Sequence, residues 1–213
     1  MNIAITNVSK LTLNKDTKGL VHRNYIDEDE NLIDGVMTNE APLKSLIRRL
    51  AVRGEKLDRI IFIESNTVRE KINIPEYGEY THADFLRLRI NENLKGAQVL
   101  YDNEKDSIRI EDEPDESAVS KTIFTVYERM TELYKESQQN ENNKNLNVYI
   151  EANGGVRYVL TMLLSIMRTL ENSLDNFHIK EIISMVLNKT PVKIFNTKAV
   201  YDCKRQALFY IVR

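Results

Sequence analysis

The chain has one cysteine, Cys203, and three histidines, His22, His82 and His178, among 213 residues. A single cysteine excludes an intramolecular disulfide and a zinc cluster built on cysteine ligands, and it suits a reducing cytoplasm. Three scattered histidines leave no metal site or catalytic triad of standard form. Long apolar runs are missing too: no stretch of about 18 uncharged apolar residues occurs, so no membrane segment is expected. Met1-Asn2-Ile3-Ala4-Ile5 enters a strand pattern directly, without the basic start of a secretory signal. The net charge is −2, so no global positive excess exists for coating duplex nucleic acid through its phosphates. Neither Gly-x-Gly-x-x-Gly nor the Walker pattern is present, and the usual dinucleotide and nucleoside-triphosphate readings have no motif. The expectation is one cytoplasmic domain without metal or cofactor.

The most informative stretch is Asn147 to Arg168. Val148, Tyr149 and Ile150 are β-branched or aromatic and read as a short buried strand. Asn153, Gly154 and Gly155 interrupt it. From Val156 to Leu170 apolar residues cover most of a helical circumference, the pattern of a helix buried on more than one side or presented to a partner. Strand, paired glycines and helix together aim unpaired N–H groups at one point, which favours anions and hydrogen-bond acceptors. On spacing alone the same segment equally fits a plain strand-to-helix turn in which glycine permits φ > 0.

Other segments alternate in the same way. Ile3–Val8, Arg59–Ile63, Ile108–Ile110 and Ile179–Leu187 read as strands. Leu11 to Gly35 reads as a hairpin or long loop, with Asp27 to Glu30 as a solvated acidic face. Thr38 or Asn39 is placed to cap a helix carrying Pro42 early. Leu43, Leu46, Ile47 and Leu50 would then face inward, with Lys44, Arg48 and Arg49 outward. Val68 to Tyr80 lacks periodicity and reads as a loop; His82 to Leu94 reads as a helix. A further helix is expected from Asp115 through Tyr134, with Val119, Ile123, Val126, Tyr127 and Met130 on one face. Val192–Thr197 and Ala207–Val212 read as a closing strand pair. Strands alternating with helices imply an α/β fold, a mostly parallel sheet with helices on both faces.

Asn153-Gly154-Gly155-Val156-Arg157, after a strand ending in Glu151 and before a long apolar helix, resembles the Asp-x-Thr-Gly-Gly-x-Arg signature of CARF domains, the CRISPR-associated Rossmann-fold sensors of type III systems. Asn153 stands where the family has threonine. The likeness reaches downstream through Asn188-Lys189-Thr190 and upstream to Thr38-Asn39-Glu40-Ala41-Pro42-Leu43-Lys44, which is similar to a first-helix motif of such sensors. The resemblance implies a Rossmann-like fold and a cyclic oligoadenylate ligand, tetra- or hexa-adenylate, lying across the two-fold axis of a homodimer. It also implies an effector outside this chain, which the ligand activates allosterically in antiviral defence. The chain stops after Phe209-Tyr210-Ile211-Val212-Arg213, the pattern expected of a sensor cut from a longer effector protein. No Arg is followed four to six residues later by His, the ribonuclease motif of domains often fused to such sensors.

In open α/β sheets ligands bind beyond the carboxyl ends of strands. The candidate ligand-binding residues are accordingly Asn7, Ser9, Lys10, Thr38, Asn39, Ser65, Asn66, Asn153, Gly154, Gly155, Arg157, Lys189 and Thr190. Backbone N–H groups, Lys and Arg suit phosphates, and Asn can pair with an adenine edge. Two functions follow from the resemblance. One is a pure sensor. The other is a ring nuclease that opens the bound ring through its 2′-hydroxyl, with Thr38 and Asn39 as its catalytic candidates.

Overall fold

A computed structural model describes residues 1–93, 102, 104–139, 144–188 and 190–202. Among the described residues ten strands and four complete helices follow in chain order, with a further helical segment at 198–202. The first half holds β1 (Asn2–Asn7), β2 (Arg23–Ile26), β3 (Leu32–Val36), α1 (Ala41–Val52), β4 (Arg59–Ser65), β5 (Lys71–Ile74), β6 (Gly78–Thr81) and α2 (His82–Asn93). The second half holds β7 (Ser107–Ile110), α3 (Glu116–Gln138), β8 (Leu146–Glu151), α4 (Arg157–Ser173), β9 (Phe177–Val186) and β10 (Val192–Asn196).

Eight strands form one sheet in the order β3-β2-β10-β9-β8-β1-β4-β7. The run β9-β8-β1-β4-β7 is parallel throughout. It is sealed on both faces, so its strands read as nearly unbroken apolar runs. Ile3 and Ile5 point into a core shared with Val126, Met130 and Leu133 of α3 and Val159, Leu163 and Met167 of α4. Ala4, Phe62 and Tyr149 point the other way, onto Leu43, Leu46 and Leu50 of α1 and Leu86 of α2. The fold is therefore α/β and Rossmann-like, with helices on both faces. From β1 the parallel strands proceed to β4 and β7 on one side, then return to β8 and β9 on the other. This reversal opens a crevice between the carboxyl ends of β1 and β8.

Several local expectations are corrected. The segment Val68 to Tyr80 is not a plain loop: a 3-10 turn at Thr67–Arg69 leads into the antiparallel hairpin β5–β6. Its turn uses positive φ at Glu76 and Gly78, and Ile74 packs on Phe85 and Leu11. Arg49 does not face outward. It is buried against Ser45 and paired with Glu181 of β9. Neither Thr38 nor Asn39 caps α1: Glu40 occupies that position and no side chain makes the cap bond. The apolar circumference of α4 is incomplete, because Thr161, Ser165 and Thr169 are exposed while Val159, Leu163 and Leu170 are buried. Leu164 is half-buried against the core, and the Tyr201 hydroxyl donates to its carbonyl at 3.4 Å. On α3, Val126 and Met130 are buried but Ile123 and Tyr127 are 40% and 44% exposed.

The Leu11 to Gly35 excursion holds the hairpin β2–β3, joined to the sheet where β2 runs parallel to β10. β10 pairs antiparallel with β9. The second strand expected at the end, Ala207–Val212, lies outside the described residues.

Candidate functional site

The crevice is built where the end of β1 meets the turn after β8. Asn7 closes β1 and is 3% exposed. Its Nδ2 donates to the Gly154 carbonyl at 2.6 Å and, more weakly, to that of Val156 at 3.4 Å. Its buried Oδ1 has no partner among the described residues. The glycine pair is imposed by this contact. A Cβ on Gly154 would lie 1.7 Å from the Asn7 carbonyl oxygen, and one on Gly155 would lie 2.0 Å from Asn7 Oδ1. Gly155 also has φ +65°, where a side chain is strained. Beyond it α4 begins with no side-chain cap among the described residues and no acidic residue in its first turn. The Val159 N–H bonds the Val156 carbonyl at 3.1 Å, so among the described residues the N–H groups of Arg157 and Tyr158 are the ones left for solvent or a ligand. Arg157, its first residue, is exposed and has no ion-pair partner among the described residues.

Beside this turn lies a cavity of about 240 Å3. Ser9, Lys10, Ser65 and Gly155 line it together, so four of the expected residues meet although they come from three separate segments of the chain. Thr67 and Asp112 complete its polar wall. Asp112 Oδ2 accepts the Thr67 N–H at 2.9 Å. Burial pushes the Asp112 carboxyl up, but the Ser65 hydroxyl, the Thr67 N–H and hydroxyl and the Lys10 charge outweigh it, leaving the group below the usual carboxylate range. Asp112 was absent from the sequence candidates. Its signal was the one that found Asn7, a polar residue at or just past the end of a strand.

Glu151 is the other residue missed, although it ends the strand that leads into the glycine turn. It is buried, and Thr6 Oγ1 donates to its Oε2 at 2.6 Å. Burial raises its carboxyl from 4.5 to about 7, against the opposing hydrogen bonds from Thr6 and the Asn153 N–H. His82, the first residue of α2, accepts the Leu11 N–H on Nδ1 at 3.0 Å and so holds the loop carrying Ser9 and Lys10. Burial, and then the Lys10 charge, lower its pKa.

The remaining candidates stand apart from the cavity. Asn153 uses its side chain to brace β9, donating to the Ile183 carbonyl at 3.3 Å and accepting the Met185 N–H at 2.9 Å. Asn66 is exposed and donates to the Glu111 carboxylate. Thr38 and Asn39 follow β3, whose carboxyl end shares the sheet edge with those of β1 and β8. Thr38 Oγ1 accepts the Tyr25 hydroxyl at 2.9 Å, and Asn39 is 5% exposed with Nδ2 unpartnered among the described residues. Thr190 is exposed in the β9–β10 turn, before Pro191. Lys189 lies outside the described residues.

A second surface adjoins the same edge. Between α3 and α4 runs a groove of about 830 Å3, lined among others by Ile123, Tyr127, Tyr158, Met162 and Ile166. Phe124, next to it on α3, is 60% exposed. Among the described residues no cluster of His, Cys, Asp or Glu could hold a metal ion, and no helix is long and apolar enough to cross a membrane. No protein-family model matches the chain, and no curated protein matches it in sequence.

Proposed function

We propose that the chain is a nucleotide sensor that binds a cyclic oligoadenylate, a tetra- or hexa-adenylate ring, at the crevice between β1 and β8. The observation that carries this reading is the meeting of Gly155, Ser9, Lys10 and Ser65 around one cavity at the topological switch point. Uncapped N–H groups at the start of α4, Lys10 and Arg157 suit the phosphates of such a ring. The family resemblance of the Asn153 to Arg157 segment supplies the choice of ligand within the wider class of nucleotides.

The active form in this reading is a homodimer joined along α3 and α4. The α3–α4 groove runs from Tyr158, in the first turn of α4, to Thr169, so a two-fold contact centred on its Tyr158 end would bring two glycine turns to one axis. Exposed Ile123, Phe124 and Tyr127 form the kind of contiguous apolar patch that marks an interaction surface. A ring ligand with internal symmetry then meets the same half-site twice. Ligand occupancy is passed to an effector domain or partner of a type III CRISPR system, outside this chain.

Calorimetric titration with cyclic tetra-adenylate and cyclic hexa-adenylate tests the proposal. One ring bound per dimer, with linear oligoadenylates much weaker, is the expected result. Absence of heat with either ring at high micromolar protein would overturn it.

A further inference from the structure

The cavity beside the glycine turn has two chemically opposed walls. One is formed by Gly155 and Val156, the N-cap position of α4, and so lies at the positive end of that helix, which suits a phosphate. The other carries the Asp112 carboxylate, positioned by the Thr67 N–H at 2.9 Å, with Ser65 and Thr67 lining the cavity beside it. An ionised carboxylate is an acceptor only, with about four lone-pair sites, so the bond from the Thr67 N–H leaves it capacity for a further donor from the cavity. That donor cannot be a phosphate oxygen. It has to be a hydroxyl or an amine.

One hydrogen bond bridges the two walls directly. Tyr158, one residue into α4, donates its hydroxyl to the Glu111 carbonyl at 2.8 Å. This ties the residue before Asp112 to the helix that begins just after Gly155. The space of about 240 Å3 between them takes a sugar and its phosphate.

We propose that Asp112 is the ribose-reading residue of the site: with a ligand phosphate at Gly155 and the α4 end, its carboxylate accepts a hydrogen bond from the 2′-hydroxyl of the attached sugar. The assignment rests on the nucleotide reading above. In a ring of 3′–5′ linkages both other sugar oxygens are esterified, so the 2′-hydroxyl is the one sugar group able to donate. The Ser65 and Thr67 groups and the Lys10 charge keep Asp112 ionised, so it is an acceptor and a weak base. It therefore recognises the hydroxyl without activating it as a nucleophile. Asp112 gives the site its preference for ribo- over deoxyribo-ligands.

The test compares cyclic tetra-adenylate with its all-2′-deoxy counterpart by calorimetry, on the wild type and on Asp112→Asn. Loss of a hydrogen bond to a charged group should weaken the deoxy ring on the wild type by about tenfold or more. In Asp112→Asn the side-chain oxygen stays with Thr67, the amide turns a donor towards the cavity, and the preference should shrink to about a few-fold. Circular dichroism melts check that the variant folds; if it does not, the two rings on the wild type decide alone. Equal affinity of the wild type for both rings overturns the assignment of Asp112 and leaves the nucleotide reading standing. Binding of neither ring overturns both.

Discussion

Asn7 and Gly155 are in contact at a distance no side chain could share: a Cβ on Gly155 would sit 2.0 Å from Asn7 Oδ1. The same asparagine donates to the Gly154 carbonyl, so the end of β1 and the turn after β8 form one unit. The two glycines are consequently required by packing, whatever ligand they also serve.

The two positions should respond differently to alanine. At Gly155 the cost combines a left-handed φ, roughly 1–2 kcal/mol, with displacement of the Asn7 side chain. At Gly154 the obstacle is the Asn7 backbone oxygen, which no rotamer change can move. Chemical denaturation should show Gly154→Ala as the more destabilised variant. In a double-mutant cycle Asn7→Ala should partly rescue Gly155→Ala and fail to rescue Gly154→Ala. Equal rescue of both would contradict the geometry.

Glu151 predicts a pH dependence of stability. Its folded carboxyl is raised to about 7 by burial, so between 4.5 and about 7 the folded state holds a proton that the unfolded chain has released. Its contribution is complete below the unfolded value and is lost as pH rises through about 7. The size is on the order of a few kcal/mol at most. His82 acts in the opposite sense: its lowered pKa gives stability that is present above 6.5 and lost as pH falls. Denaturation midpoints should therefore fall from pH 5.5 to 8 in the wild type by more than in Glu151→Gln, which keeps the Thr6 contact but cannot ionise. Parallel curves for the two proteins would remove Glu151 as the cause.

The proposed dimer surface can be tested without disturbing the core. Ile123 is 40% exposed on α3, so Ile123→Asp should leave the melting temperature nearly unchanged while light scattering shows a monomer. Leu164→Asp is a poor probe by comparison. Leu164 packs against the core, and a carboxylate there should cost stability whether or not a dimer forms. A dimer that persists in Ile123→Asp and Tyr127→Asp would place the subunit contact elsewhere.

Thr38 separates sensing from ring cleavage, provided its structural bond is controlled for. Thr38→Ala leaves the buried Tyr25 hydroxyl without its partner, at a cost of about 1–2 kcal/mol in stability. Tyr25→Phe removes the same bond from the other side and should match Thr38→Ala if the threonine is structural only. A pure sensor leaves cyclic tetra-adenylate intact through prolonged single-turnover incubation. Metal-independent linear product carrying a 2′,3′-cyclic phosphate, lost in Thr38→Ala but kept in Tyr25→Phe, would establish the ring nuclease instead.

The parallel strands, helices α1 to α4 and their order were legible in the chain because each depends on local pattern. Val148 to Ile150 and Arg59 to Ile63 are β-branched runs, and Asp115 caps α3 through the Ala118 N–H as its position suggests. The β5–β6 hairpin was hidden because its turn relies on a non-glycine residue, Glu76, at positive φ. Arg49 looked like a surface residue for a similar reason: its partner Glu181 is 132 positions away. The site divides along the same line. Polar residues past strand ends could be named from sequence, but which of them share a cavity was decided by strand order. Placing β8 beside β1 brings Asn7 to Gly154 across 147 positions and Thr6 to Glu151 across 145. Placing β4 beside β7 brings Ser65 and Thr67 to Asp112 and leaves Asn66 facing solvent. Hydrophobic period sets which residues enter the sheet; only the pairing of strands distant in the chain sets which side chains meet at its edge.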